Sequence, residues 1–256
     1  MATPRIYHPQ TLDEGTFTEL EEEYRAYLRD VLRLKEGDKL TLFDGVGHEY
    51  RAVISEFTPG AVRLEVITKE DITLPETRIT LAQSLPKGSK MEFIIQKATE
   101  LGVSRIIPFI SSRSIPRLTG DRAAAKAARW RKVAVEASRQ CGRGDVPEVS
   151  EIVSFDGMLR TADDEALRII LWEAEEQRGL REILTDERYA GTNSFCIVIG
   201  PEGGFSWNEI EKARQAGFFS AGLGRLILRT ETAPLAVLSI LQYEKGLFGT
   251  VEEDTA

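Results

Sequence analysis

The sequence predicts an α/β protein in which a small, antiparallel, barrel-like β module precedes a larger, mostly parallel sheet covered by helices on both faces. Residues 40–66 hold three short, partly alternating apolar segments, which the turn sequences Asp44-Gly45 and Thr58-Pro59-Gly60 separate. In the rest of the chain, candidate strands alternate with candidate helices, which is the pattern of a parallel sheet. Two of these later strands, Leu167–Trp172 and Phe195–Ile199, are continuously apolar, as strands buried on both faces are.

The front of the chain divides into one predicted helix and three predicted strands. The helix is expected over Glu19–Val31. The strands are expected at Leu40–Phe43, Tyr50–Ile54 and Ala61–Val66. Leu74-Pro75 then interrupts the pattern, which places a domain boundary there. We therefore expect a β domain over residues 1–73 and a second domain over residues 74–250.

The rear of the chain alternates strands and helices almost to its end. Ser89-x-x-Glu92 and Ser206-x-x-Glu209 match the capping box that begins helices, and Gly102 and Gly217 follow as helix stops. The predicted strands are Arg78–Leu85, Val103–Ile110, Leu167–Trp172, Phe195–Ile199 and Leu223–Arg229. Besides the two capped helices, the predicted helices are Arg122–Gln140 and Ala233–Leu247. Ligands of such sheets bind at the carboxyl ends of the strands, so the loops there are the candidate site.

The formal net charge of -8 conceals a basic middle segment. Residues 76–149 carry 14 Lys and Arg against 7 Asp and Glu, whereas residues 1–75 have a net charge of -6 and residues 150–256 one of -9. A basic segment between acidic flanks suits a protein that places one face against a polyanion such as RNA. A solvated basic helix explains the same excess equally well.

Cysteine and histidine are too scarce to support several chemistries. Cys141 and Cys196 form no C-x-x-C pair and cannot build a disulfide framework, so a reducing cytoplasm is the expected location. His8 and His48 lie in the first fifth of the chain, which argues against a metal site or a His-based triad in the second domain. No apolar run is long enough for a membrane span and the start of the chain lacks a signal peptide's apolar core, so we expect no membrane partner.

The first candidate loop follows the strand Phe195–Ile199. Its sequence, Gly200-Pro201-Glu202-Gly203-Gly204, sets two adjacent glycines after a proline, so its backbone can approach a ligand closely. The glycine spacing differs from the G-x-G-x-x-G fingerprint, which disfavours a dinucleotide-dependent oxidoreductase. Taken alone, an ordinary strand-to-helix turn is the simpler interpretation of this loop.

The second candidate loop follows the predicted strand Leu223–Arg229. Thr232 is a natural N-cap for the last helix and Pro234 lies in its first turn, so good capping explains much of the segment. Capping does not explain Arg229, a fixed cation at a predicted strand end beside a helix N-terminus. Such a position suits a substrate that becomes anionic.

Two further polar clusters are candidates for ligand contact. The apolar strand that ends at Trp172 runs into Glu173-Ala174-Glu175-Glu176, which suits a cationic ligand, although a solvated loop explains it as well. The Gly- and Arg-rich sequence Gln140–Pro147 follows the basic helix and, together with Arg113 and Arg117, is suited to holding phosphates. Cys141 has no basic partner nearby in the sequence, which argues against a nucleophilic role.

Four motifs together closely resemble the RsmE family, the bacterial 16S ribosomal RNA (uracil-N3)-methyltransferases of the SPOUT superfamily. They occur in the family's order over residues 78–245 and are specific as a set, although each is short. The motifs are Lys90–Val103, Gln140–Arg143, Ile199–Ser206 and Leu228–Ala233. The front half resembles the family's PUA-like RNA-binding domain through Tyr27–Arg33 and Gly37-Asp38. It departs from the family at Ala26-Tyr27, where a paired histidine is frequent.

This resemblance implies a fold that neither periodicity nor spacing predicts: a C-terminal trefoil knot in which the last helix threads through a loop. It also implies a homodimer and S-adenosylmethionine (SAM) bound in the knot in a bent conformation. Leu171 and Trp172 would complete the adenosine pocket. The cofactor-binding residues implied are Leu171, Trp172, Gly200, Pro201, Glu202, Gly203, Leu223, Gly224, Leu228, Thr230, Thr232 and Ala233.

The implied reaction is methylation of N3 of a uridine in 16S rRNA, on the assembled 30S subunit. Uracil N3 has to lose its proton before it attacks a methyl group, so the site needs a general base or a cation that stabilises the uracil anion. Arg229 is the candidate cation, and either Glu231 or Glu202 is the candidate for taking the proton or orienting the base. The target base has to leave its stack. The candidate RNA contacts are Arg33, Arg113, Arg139, Gln140 and Arg143.

Two other functions stay open at this point. A knotted ribose 2′-O-methyltransferase would share the fold and differ in the target atom. A non-catalytic RNA-binding assembly factor would use the β module and the basic helix.

Overall fold

The computed structural model describes residues 3–114, 120–162 and 167–245, and these residues form two compact units. One unit takes in Met1–Leu74 and Ser138–Val146, and the other takes in Pro75–Ala137 and Pro147–Ala256. The predicted Arg117 lies outside the described residues. The long basic helix Asp121–Cys141 begins in the second unit, and its last residues are counted with the first.

The first unit is built on a five-stranded sheet in the order β1-β3-β4-β5-β2. Only the β1–β3 pair is parallel, and the other neighbouring strands are antiparallel. The strands are β1 Arg5–Tyr7, β2 Phe17–Glu21, β3 Lys39–Phe43, β4 His48–Thr58 and β5 Ala61–Asp71. Alternate residues of β3, β4 and β5 are buried, and Leu28 from the helical segment packs against them. The separate small β domain that the sequence predicts is therefore present.

The predicted helix Glu19–Val31 is wrong at its start. Residues 19–21 belong to β2, where Leu20 is buried and pairs with Val62 of β5. The helix α1 covers only Glu22–Ala26, and a π-helical turn continues it over Tyr27–Val31. The run of glutamates hides the strand in the sequence, because only one of its residues faces the core.

The second unit contains a parallel sheet in the order β12-β10-β11-β6-β7-β8, with β9 also paired to β7. Every strand pair in this sheet is parallel, which confirms the predicted fold class. The central strands are β6 Arg78–Ser84, β10 Leu167–Leu171 and β11 Ser194–Ile199. The others are β7 Arg105–Ile110, β8 Glu148–Val149, β9 Val153–Ser154 and β12 Phe219–Ala221. The middle of the sheet is almost wholly buried, as its continuous apolar runs predict.

Among the described residues the second unit has six helices, which include the four that the sequence predicts. They are α2 Lys90–Glu100, α3 Asp121–Cys141, α4 Phe155–Thr161, α5 Leu180–Leu184, α6 Trp207–Gln215 and α7 Thr232–Glu244, with a 3-10 turn at Glu187–Tyr189. Helices α4 and α5 are too short for the sequence pattern to show. Gly102 and Gly217 follow α2 and α6 with φ of 78° and 84°, which confirms both predicted stops.

The predicted strand Leu223–Arg229 is wrong. Strand β12 ends at Ala221, and the segment after it is irregular, with Leu226 and Ile227 79% and 82% exposed. Pairing with β10 stops at Ala221, opposite Leu171, and Gly222 forms an isolated parallel bridge with Gly179. An apolar segment can therefore leave the sheet and become the wall of a cavity.

Thr232 is the first residue of α7 and not its N-cap, which is Glu231. The backbone oxygen of Arg229 already accepts hydrogen bonds from the N–H groups of Thr232 and Ala233, at 2.8 and 2.9 Å. These bonds close the turn before the helix, so a side-chain cap at position 232 is not needed.

Among the described residues, none of the helices combines the length and apolarity that crossing a membrane requires. The same part of the chain contains no cluster of His, Cys, Asp and Glu suited to a metal ion.

Candidate active site

The carboxyl ends of β10 and β11 border a cavity of about 510 Å³ in the second unit. The segment that follows β12 supplies a third wall. The cavity is lined by Lys90, Leu171, Trp172, Glu173, Ile199, Gly200, Pro201, Glu202, Gly203, Gly204, Ala221, Leu223, Ile227, Leu228, Arg229, Thr230 and Ala233. Most residues predicted for the site are in this set. Gly224, Glu231 and Thr232 are not.

A buried threonine ties two walls of the cavity together. The hydroxyl of Thr230 donates to the backbone oxygen of Gly200 at 2.7 Å, and the amide of Gln83 donates to the same hydroxyl at 3.1 Å. Thr230 is 6% exposed and Gln83 is fully buried, so both bonds are shielded from water. The loop after β11 and the turn before α7 therefore hold a fixed relative position.

The glycines of the first loop allow close packing that a side chain would prevent. Gly204 has φ of 65°, and a Cβ there would lie 2.0 Å from a carboxylate oxygen of Glu173. A Cβ on Gly200 would lie 3.1 Å from the ring of Phe205. The loop thus packs tightly against its neighbours, and its residues 200–204 line the cavity.

The acidic cluster after β10 divides into a cavity residue and a structural residue. Glu173 lines the cavity. Glu175 is turned away to Ser220 and Arg214, and Arg214 lies over the rings of Trp172 and Trp207. Burial raises the pKa of Glu175, but its hydrogen bonds to Ser220, Gln177 and Arg214 outweigh this and hold the pKa below its ordinary value. The cluster is therefore only partly available to a cationic ligand.

Lys90 joins the two predicted catalytic carboxylates. Its ammonium lies 3.1 Å from a carboxylate oxygen of Glu202 and 3.0 Å from one of Glu231. The hydrogen bond to Glu231 and then that to Glu202 raise the pKa of Lys90. Burial raises the pKa of both carboxyls, but hydrogen bonds, including those from Lys90, hold each below its ordinary value. Both carboxylates and the ammonium are therefore charged at neutral pH.

Arg229 differs from Lys90 in having no acidic partner among the described residues within ion-pair distance. Its side chain is exposed and lines the cavity beside the start of α7. Its positive charge contributes to the lowered pKa of Glu231. A cation in this position is free to meet an anionic group in the cavity.

The predicted RNA-contact residues fall into both units. Arg113 belongs to the second unit, is exposed, and donates to the backbone oxygen of Gly203 at 2.9 Å. The other four belong to the first unit: Arg33, Arg139, Gln140 and Arg143. Arg33 is exposed at φ of 58°, and the Arg139 guanidinium lies 5.8 Å from the centre of the Tyr27 ring.

Arg143 is held within the first unit rather than free for phosphate. Its guanidinium forms a two-bond pair with Asp145, at 3.0 and 2.6 Å, and its side chain is only 14% exposed. Its backbone oxygen accepts a hydrogen bond from Arg5 at 2.6 Å. We interpret Arg143 as a residue that shapes the loop after α3, while Gln140 remains exposed.

Family models match most of the chain. A model described as an RNA methyltransferase domain matches residues 73–242, and one described as an RNA methyltransferase PUA domain matches residues 21–67. A curated relative from Bacillus subtilis, ribosomal RNA small subunit methyltransferase E, is 35% identical over 93% of this chain and 94% of its own length. The chain belongs to the ribosomal RNA small subunit methyltransferase E family.

Solved structures of similar proteins agree with this membership. Ribosomal RNA small subunit methyltransferase E from Neisseria gonorrhoeae, solved bound to SAM, is 34% identical with a TM-score of 0.84. It matches over 94% of this chain and 98% of its own. A Legionella pneumophila protein solved with SAM is also 34% identical, with a TM-score of 0.86 over 95% of this chain and 98% of its own.

The sequence patterns did not identify Lys90 and Glu173 as cavity residues of this methyltransferase. Lys90 begins one of the motifs that carry the family resemblance, but the capping box beside it offered a sufficient explanation for the motif. Glu173 lay in a cluster whose members the sequence does not rank. In both cases the missing information is the tertiary position of a charged side chain.

Proposed function

We propose that this chain transfers a methyl group from SAM to N3 of a uridine in 16S rRNA. The observation that carries the proposal is Arg229, which lines the cavity and has no ion-pair partner among the described residues. The activity named for the chain's curated relatives supports methyl transfer to small-subunit rRNA. The choice of N3 comes from the family resemblance, and the charged groups suit the chemistry that methylation at N3 requires.

The cavity fits SAM in size and in lining. Its volume of about 510 Å³ is within the range of roughly 300–1,000 Å³ typical of small-molecule sites. Leu171, Trp172 and Leu223 supply apolar surface for an adenine ring, and the backbone of the loop after β11 supplies polar groups. Glu173 and Glu202 add negative charge to the lining, which suits a positively charged sulfonium group. The similar proteins solved with SAM support the same ligand here.

When bound, SAM supplies an electrophilic methyl group on a positively charged sulfur. The chain's own contribution is to hold the walls fixed through Thr230. Fixed walls place the acceptor atom and the methyl group in line before reaction, which removes much of the entropy cost of the step.

Arg229 and the carboxylates divide the proton chemistry. The proton leaves uracil N3 for Glu202 or Glu231, and the electron pair left on N3 forms the new bond to the methyl carbon while the carbon–sulfur bond breaks. Because hydrogen bonds lower the pKa of both carboxyls, they are weak bases for so weak an acid. Stabilisation of the uracil anion by Arg229 therefore carries the larger share of the rate enhancement.

The proposal includes the features that family resemblance implies beyond the site. Residues 1–73 form a PUA-like RNA-binding domain, residues 74–250 form the methyltransferase domain, and the latter is knotted and forms a homodimer. Arg33, Arg113, Arg139 and Gln140 contact single-stranded or bulged RNA, where unstacking the target base costs least. The substrate is the 30S subunit in the cytoplasm. Light scattering tests the dimer directly, and a monomeric mass would contradict it.

The test of the function is transfer of labelled methyl groups from SAM to undermethylated 30S subunits and, separately, to naked 16S rRNA. We expect label on the 30S subunit, and nucleoside mass spectrometry should identify 3-methyluridine. A ribose-methylated nucleoside would show a 2′-O-methyltransferase instead. RNA binding without label in either substrate would show a non-catalytic assembly factor.

A further inference from the structure

A buried carboxylate beside the cavity is not used by the proposed chemistry. Glu209, in the first turn of α6, is 5% exposed. It accepts four hydrogen bonds from neutral donors: the N–H and hydroxyl of Ser206 at 2.9 and 2.8 Å, and the N–H and hydroxyl of Ser112 at 2.8 and 2.7 Å. Burying a carboxylate is costly unless such donors compensate it. The two bonds from Ser112 also connect Glu209 to a distant part of the chain.

The capping box of α6 needs only the bond from the N–H of Ser206 to the Glu209 carboxylate and the bond from the N–H of Glu209 to the Ser206 hydroxyl. The bonds to Ser112 come from a turn 97 residues earlier in the chain and add nothing to that cap. They fasten the turn after β7, residues 111–114, to the start of α6. That start follows directly on the loop that lines the cavity.

The anchored turn carries Arg113. The side chain of Arg113 packs over Gly203, where an added Cβ would lie 3.4 Å from the Cβ of Arg113, and its guanidinium donates to the backbone oxygen of Gly203 at 2.9 Å. The turn is internally braced, because the N–H of Ser111 donates to the hydroxyl of Ser114 at 3.0 Å. Fixing Ser112 therefore fixes the whole turn and the position of Arg113.

We propose that Glu209 is a positioning residue that sets Arg113 and the cavity loop in one arrangement, so that the cation expected to meet RNA is aligned with the site. This rests on the proposed function, because it takes Arg113 as an RNA contact. Ser114 also bonds to Ser84 at 2.9 Å, so loss of the Glu209 anchor displaces the turn without freeing it completely. The expected consequence is a misplaced Arg113 in a folded protein.

The decisive experiment is a double-mutant cycle on binding to undermethylated 30S subunits, with wild type, Glu209→Gln, Arg113→Ala and the double variant. We expect Arg113→Ala to weaken binding about ten-fold in the wild-type background. In the Glu209→Gln background it should weaken binding less than about two-fold, because Arg113 is already misplaced. An equal loss in both backgrounds overturns the proposal.

Two serine variants separate positioning from helix capping, and they serve where Glu209→Gln fails to fold. Ser112→Ala removes a bond of the anchor and leaves the α6 cap intact, so it should reduce the Arg113→Ala effect. Ser206→Ala removes the cap hydroxyl and leaves both Ser112 bonds, so the Arg113→Ala effect should stay full. The reverse pattern would show that Glu209 serves the cap alone.

Amide hydrogen exchange gives a readout that needs neither RNA nor methyl transfer. Exchange in peptides that cover residues 111–114 should speed up in Glu209→Gln and Ser112→Ala, but not in Ser206→Ala. Unchanged exchange in all three variants contradicts the inference even where the wild-type enzyme methylates rRNA. Absence of methylation with altered exchange would contradict only the proposed function.

Discussion

The starts of α2 and α6 carry the same S-x-x-E motif and use it differently. At α6 the hydroxyl of Ser206 accepts from the N–H of Glu209, and the Glu209 carboxylate returns the bond to Ser206. At α2 the side chain of Ser89 makes no cap bond, and its backbone (φ -97°, ψ 6°) is not extended as an N-cap residue's usually is. The predicted capping box is therefore confirmed at α6 and wrong at α2.

Charged partners from other elements account for the difference. The Glu92 carboxylate pairs with Arg129 of α3 at 2.8 Å, and Lys90 extends toward Glu202 and Glu231. At α6 the Glu209 side chain is buried, so it bonds to nearby serine groups instead. The start of α2 thus belongs to the cavity and the start of α6 to the scaffold. Cavity variants should lower turnover, and scaffold variants should lower stability.

The largest effect on turnover is expected for Arg229, a cavity cation without an ion-pair partner in the described part of the chain. Arg229→Ala should lower methyl transfer by about 100-fold or more, because a fixed donor to the developing charge is lost. RNA binding and the melting temperature should change little. Single-turnover methylation of 30S subunits measures the effect, and Arg225→Ala, an exposed arginine in the same segment that does not line the cavity, is the control. A rate near wild type would remove Arg229 from the mechanism.

Lys90→Met should lower methyl transfer about ten-fold, because it removes a charge-assisted bond from each of two carboxylates. Lys90 lowers the pKa of Glu202 and Glu231, so its removal raises both. The acidic limb of the rate profile should therefore move to higher pH. Lys97→Met, on the same helix and paired with Glu100, is the matched control. An unmoved acidic limb would show that neither carboxylate takes the proton.

The sequence predicts much of the fold and part of the candidate site. Periodicity and continuous apolar runs predict the small β domain and the parallel sheet, since these patterns reflect burial directly. The family motifs predict most of the cavity wall. They do not reveal that Leu223–Arg229 leaves the sheet, because its apolar residues look like a strand until it is known that pairing with β10 ends at Ala221. Nor do they reveal that Lys90 bridges Glu202 and Glu231, because these carboxylates lie 112 and 141 positions further along the chain.

The two motif serines should differ in their effect on stability, because only Ser206 makes a cap bond. Ser206→Ala should lower the free energy of unfolding by about 1 kcal/mol, because a used N-cap hydroxyl is lost, whereas Ser89→Ala should change it by only a few tenths of that. Urea unfolding of both variants measures the difference. Equal losses would mean that Ser89 caps α2 in solution, and the contrast between the two helix starts would fail.

The smallest effect expected is on the pH dependence of stability. Hydrogen bonds hold the pKa of Glu209 below its ordinary value against the opposing effect of burial. A carboxyl whose pKa is lower in the folded chain stabilises it fully above the unfolded pKa, and that stabilisation is lost as pH falls through the folded pKa. Wild type should therefore lose stability over this acidic interval more steeply than Glu209→Gln, which has no proton to take up.

Glu92→Gln, at an exposed ion pair of α2, should leave the slope close to that of wild type, because such pairs contribute little. Urea midpoints measured from neutral to acidic pH provide the slopes. If Glu209→Gln and Glu92→Gln gave the same slope, the pKa of Glu209 would not be lowered by folding, and its anchoring role would lose its electrostatic basis.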